Sequence, residues 1–149
     1  MDRRSVHILP KAAVLARLRE MGLDVEVADP SNRHHFLLNA AVRVTLRAAF
    51  PSAYRHRMQV GGRHYEYVHR VWTFNFHHHG RIDQRYCDFF VCVPLISRKP
   101  DLCTAYVIPW EARGAKMFHL PESRRAYRGR YAAYRDGWEQ LRERCRAAA

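Results

Sequence analysis

Asp88-Phe89-Phe90-Val91-Cys92-Val93-Pro94-Leu95 places apolar side chains at consecutive positions, so neither face of an extended chain is polar here. A strand of this kind needs cover on both sides, as an interior strand of a sheet has when other layers pack above and below it. Upstream, residues 69–77 alternate cleanly: Trp72, Phe74 and Phe76 point one way, Thr73, Asn75 and His77 the other. Downstream, residues 104–110 read as another strand, ended by Pro109. The expectation is a mixed sheet with residues 88–95 central, flanked by 72–76 and 104–108.

Further out, residues 9–21 have the pattern of an amphipathic helix. Pro10 sits in the first turn, Val14, Leu15, Leu18 and Met21 form the apolar stripe, and Gly22 is placed to end it. Leu23, Val25 and Val27 alternate with Asp24 and Glu26 as a short strand. Asp29-Pro30-Ser31-Asn32 is a turn cluster. Strands at 36–39 and 42–48 follow, joined tightly through Ala40-Ala41. From 50 to 66 the chain shows no sustained period and reads as loop or ragged hairpin. Residues 122–146 read as a helix broken near Gly129 and Gly137, with Tyr127, Tyr131, Tyr134, Trp138 and Leu141 at three- and four-residue steps. Helix, sheet, helix is the order. It predicts one α/β domain of mixed α+β type over residues 1–149, with a core at about 9–112 and a basic C-terminal helical segment at 122–146.

The 149 residues are 48% hydrophobic, enough for one core and short for two. No run of eighteen apolar residues exists, so no membrane partner is expected. The N-terminus lacks the apolar segment of a secretory signal, and the four cysteines form no CxxC pair. A reduced, cytoplasmic setting follows as the expectation. The net charge is +12 and 23 of the 26 basic residues are Arg. A GC-rich genome accounts for Arg over Lys, but it does not account for the distribution. Residues 36–70 hold six basic groups against Glu66 alone, and 122–149 hold eight against four acids. An excess placed this way favours a polyanionic partner, nucleic acid first and DNA ahead of RNA.

Leu18…Gly22-Leu23-Asp24-Val25, then Phe36-Leu37-Leu38, then Val44-Thr45-Leu46-Arg47-Ala48-Ala49, followed by the aromatic strand, the Asp-Phe strand and Val107-Ile108-Pro109, resembles the compact PD-(D/E)xK nucleases, the restriction-endonuclease-like group. The resemblance spans about residues 10–112. It implies a restriction-endonuclease-like fold, and a strand acid plus a Glu-x-Lys pair that hold Mg or Mn and activate water. At those positions this chain has Phe36, Thr45 and Arg47. Phe36 cannot bind a metal, and a neutral hydroxyl is a poor lone ligand for a hard cation. Thr45 and Arg47 still share a strand face, because side chains two apart point the same way.

Three functions follow as expectations. The first is a nucleic-acid-binding protein on a nuclease-like scaffold with a degenerate active site, needing no metal or other cofactor. Its contacts would come from Arg43, Arg47, Arg55, Arg57 and Arg63 in the acid-poor segment and from Arg124, Arg125 and Arg128 near the C-terminus, with tyrosines interleaved. The second is a divergent Mg- or Mn-dependent endonuclease with ligands relocated among Asp29, Asp88 and the histidines. If the chain is active, Thr45, Arg47, Asp88 and His77 are its catalytic candidates. The third is a protein-interaction or structural domain. Asp29 reads first as a turn acid beside Pro30, Asp88 as a residue bonded to nearby backbone or Arg, and His77-His78-His79 as an exposed turn. A homo-oligomer is left open.

Overall fold

In the computed structural model the described residues are 6–77, 85–99, 102, 104–114, 116–122 and 127–149. Among these residues two α-helices, α1 (Lys11–Glu20) and α2 (Glu139–Ala148), accompany eight strands: β1 (Val25–Val27), β2 (Phe36–Leu38), β3 (Val42–Ala49), β4 (Ser52–Val60), β5 (Arg63–Asn75), β6 (Phe89–Pro94), β7 (Tyr106–Pro109) and β8 (Met117–Pro121). They form a five-stranded sheet in the order β1-β2-β3-β6-β7 and a three-stranded sheet in the order β4-β5-β8. Only the β3–β6 pair is parallel, so the larger sheet is mixed, as expected. No described helix is long and apolar enough to cross a membrane.

The two-faced apolarity of β6 has the meaning read from it. Phe89, Val91 and Val93 join Val44, Leu46, Val14, Leu18 and Leu141 in one core, where both helices cover the sheet. Phe90 and Cys92 enter a second core with Phe74, Phe76 and Phe118 of the smaller sheet. Phe90 is fully buried, stacked on Trp110 at 5.7 Å and tilted against Phe76 at 4.9 Å.

Three expectations need correction. Strand β6 is interior, but its neighbours are β3 and β7, and the aromatic strand lies in the other sheet. Trp72, Phe74 and Phe76 alternate because they cover β6 from above, a packing role that periodicity cannot tell from lateral pairing. The stretch read as loop or ragged hairpin is a hairpin, but a regular and longer one: β4 and β5 pair in unbroken register from Ser52↔Val71 to Val60↔Arg63. The turn is Gly61-Gly62, both at positive φ, as a two-residue hairpin requires. The C-terminal segment is not one broken helix. A 3-10 turn at Ala132–Tyr134 precedes α2, and Tyr131, Trp138 and Leu141 are nevertheless buried. The short strand β8 went unread, because its burial alternates over only five residues.

Where the helical pattern was clear, it held. Pro10 is the N-cap of α1, and Gly22, at φ +79°, follows its end. The Asp29 carboxylate accepts from the Ser31 backbone N–H at 2.9 Å, an ordinary Asx turn.

Candidate nucleic-acid interface and the cleft at Arg47

Strand β3 is longer than β2. Their ladder ends at Phe36↔Val44, and the backbone amides of Leu46 and Ala48 are left on an open edge. Two imidazoles close it. Leu46 N–H donates to His35 Nδ1 and Ala48 N–H to His7 Nδ1, each at 2.9 Å. A ring nitrogen that accepts a backbone hydrogen bond carries no proton, so in the neutral ring the proton is on Nε2. Burial first, and the Arg47 charge second, lower both histidines from 6.5 to about 4, with His7, Lys11 and His34 adding smaller effects on His35. Both rings are neutral Nε2–H donors at pH 7.

These rings line an open cleft of about 580 Å³ with Arg33, Arg47, Asn75 and His77. Arg47 is 8% exposed. Its Nε donates to the Asn75 carbonyl at 2.7 Å, Nη1 to the Leu46 carbonyl at 3.0 Å and Nη2 to the Tyr86 hydroxyl at 3.2 Å. All three acceptors are neutral. Beneath it, Thr45 is fully buried, with its hydroxyl donating to the Arg33 carbonyl. Thr45 and Arg47 do share a face, as their spacing requires, but Thr45 does not line the cleft. Phe36 is fully buried in the helix-covered core.

Asp88 lies elsewhere. One of its oxygens accepts from the Arg43 backbone N–H at 2.8 Å and the other from Arg85 Nη2 at 2.7 Å; it is not part of the cleft lining. Arg85 also reaches Glu111 at 3.1 Å, which in turn pairs with Arg144. Among the described residues no Asp or Glu lines the cleft, and no three His, Cys, Asp or Glu groups come together as a metal cluster. The donor set does not fit a Mg or Mn ion, which needs oxygen ligands that accept. Nor are the thiols poised to react: burial pushes Cys87 up to about 12 and raises Cys92 as well.

The second feature is the β4–β5 ribbon, in which every residue from Ser52 to Arg70 is exposed. Directly paired residues share a face, so Tyr54, His56, Met58, Tyr65 and Tyr67 lie on one side. Arg55, Arg57, Gln59, His64, Glu66 and Arg70 lie on the other, whereas Arg63, paired with Val60 beside the turn, falls on the tyrosine side. Arg55 pairs with Glu66 at 3.8 Å and Arg70 with Glu122 at 3.2 Å, both largely in solvent. Among the other arginines named from sequence, Arg43 is bound up with Asp88 at 3.7 Å and Arg128 is exposed. Arg124 and Arg125, like His78 and His79, lie outside the described residues. Sequence reasoning missed His7 altogether and reached His35 only as one of the histidines offered together as relocated ligands. The only signal for either was the difference in length between β2 and β3, which a sequence does not print.

No protein-family model matches the chain, and no curated protein does. Among solved structures it is similar to a bacterial homing endonuclease, I-Ssp6803I, with a TM-score of 0.64 at 15% identity, over 99% of this chain and 97% of that one. At that identity the likeness speaks to architecture. The chain has a nuclease-like fold.

Proposed function

We propose that this protein binds nucleic acid, DNA ahead of RNA, on a nuclease-like scaffold of the PD-(D/E)xK type whose metal-dependent cleavage centre is lost. The observation that carries the reading is the β4–β5 ribbon, nineteen consecutive exposed residues from Ser52 to Arg70 with Arg55, Arg57 and Arg70 along one side. A two-stranded ribbon fits the major groove of B-form DNA, whereas the deep, narrow major groove of A-form RNA does not admit one. The fold-level likeness to a homing endonuclease agrees with a DNA partner. Loss of cleavage is supported by the cleft: Phe36 is core, Thr45 is sealed beneath Arg47, and the two imidazoles at the edge carry protons where a ligand would need lone pairs. No cofactor is required for such a role.

The test is duplex binding measured against salt, with cleavage assayed in Mg and in Mn. Binding that weakens steeply with salt, without cleavage, is the expected result. Cleavage in either metal that chelator abolishes would restore the endonuclease alternative. Absence of binding at low ionic strength would leave an interaction domain.

A further inference from the structure

A buried guanidinium normally has a carboxylate beside it, because a charge removed from water without a counter-ion is costly. Arg47 is 8% exposed, yet no carboxylate lies within 4 Å among the described residues. Three of its five N–H groups go to neutral acceptors, and the other two have no acceptor among the described residues. The Nε2–H groups of His7 and His35 also lack an acceptor among the described residues, although neither nitrogen is sealed from solvent. These donors come from three places in the chain: the segment before α1, the residue before β2, and β3. Arg33 adds a further positive charge to the lining, to which no acid among the described residues contributes.

We propose that this cleft is a metal-free binding site for a phosphoryl oxyanion, held by the Arg47 guanidinium and the Nε2–H groups of His7 and His35, and occupied by a backbone phosphodiester of the bound nucleic acid. Donors arriving from separate elements suit a tetrahedral group with oxygens in three dimensions better than a planar carboxylate. Charge-assisted hydrogen bonds from Arg to phosphate are the strong kind. The identity of the occupant rests on the nucleic-acid reading above; the anion site does not.

The experiment follows the imidazole nitrogen signals of His7 and His35 by NMR in the full chain, at neutral pH with chelator present. Inorganic phosphate is titrated first, then a short DNA duplex. Both probes are expected to shift the two Nε2 signals saturably. In His35→Asn the side-chain oxygen still accepts from Leu46 N–H while the Nε2–H donor is gone, so the fold is kept. Phosphate affinity should fall at least tenfold there. Arg47→Lys, which keeps the charge and loses the fork, should weaken it similarly. If phosphate leaves both signals unmoved while the duplex still binds, the anion site is wrong and the nucleic-acid reading survives. If phosphate moves them and the duplex binds without doing so, the phosphodiester assignment is overturned. If the duplex does not bind at all, the functional reading falls, and the phosphate titration alone decides the site.

Discussion

The Tyr86 hydroxyl accepts from Arg47 Nη2 and donates to the Phe76 carbonyl, so one buried phenol ties the charged residue of β3 to the chain leaving β5. Truncating it to Phe would strand a buried carbonyl and a guanidinium N–H together. Tyr86→Phe should therefore cost about 1–3 kcal/mol in urea unfolding, more than a single surface hydrogen bond would. A loss too small to measure would mean that water replaces the hydroxyl freely.

Acid should destabilise the fold through the two edge histidines. In the unfolded chain they take up protons near 6.5; in the folded chain they do so only near 4. Between those values the unfolded state binds more protons, so their contribution is complete above pH 6.5 and is lost as the pH falls towards 4. Protonation also turns Nδ1 from acceptor into donor and breaks its bond to the β3 edge. Thermal unfolding of wild type should decline through that window, and His35→Asn should decline less. Parallel curves for the two proteins would refute the assignment.

Asn39 and Ala40 both have positive φ, at 48° and 55°, in the turn between β2 and β3. Asn tolerates this conformation, and its side chain accepts from the Asp24 N–H at 2.8 Å. Ala40 has no such compensation. Ala40→Gly should stabilise by up to about 1 kcal/mol by relieving the strain, partly offset by a floppier unfolded chain. Chemical denaturation at neutral pH measures it, and a destabilised variant would count against the turn geometry.

Phe90 touches aromatic rings from three directions: Trp110, Phe76 and Tyr86. Phe90→Ala should cost about 3–5 kcal/mol, because surrounding rings this large cannot collapse into the space. An effect below about 1 kcal/mol would argue that the two sheets do not pack across it.

On the ribbon, replacing Arg55, Arg57 and Arg63 by Ala should leave stability within about 0.5 kcal/mol of wild type, since all three are solvated. Duplex affinity should fall, and the dependence of log affinity on log salt should flatten by about 0.9 for each phosphate contact removed. An unchanged slope would place the binding face elsewhere.

Burial was legible in the residues wherever it wrote a period. Val14 and Leu18 on α1, the continuous run in β6 and the alternation of Trp72 to Phe76 all announced which side chains leave water. Lateral order was not legible, since covering a strand and pairing beside it make the same demand on side chains. The ribbon was legible only as loop or ragged hairpin, for the opposite reason: with no residue buried between 52 and 70, hydrophobic pattern has nothing to record there, and Gly61-Gly62 alone marked the turn. Thr45 and Arg47 were found through resemblance, and their shared face follows from spacing. His7 and His35 could not be found so, because their role depends on how far one strand outruns its neighbour.

A ribbon without a single core position separates two selective pressures that most proteins must satisfy with the same residues. Beyond its base, where Arg70 meets Glu122 and Tyr54 meets His119, a substitution in the ribbon has to preserve the ladder and the Gly61-Gly62 turn, and little else about the described structure constrains it. The strand beneath is anchored independently, where Val71–Asn75 pairs with β8. On the proposed binding reading, specificity can therefore drift quickly on this appendage while the two cores stay still. Relatives of this chain should differ most where it reaches furthest from its own core, and grafting the ribbon of one onto another should transfer preference without a loss of stability.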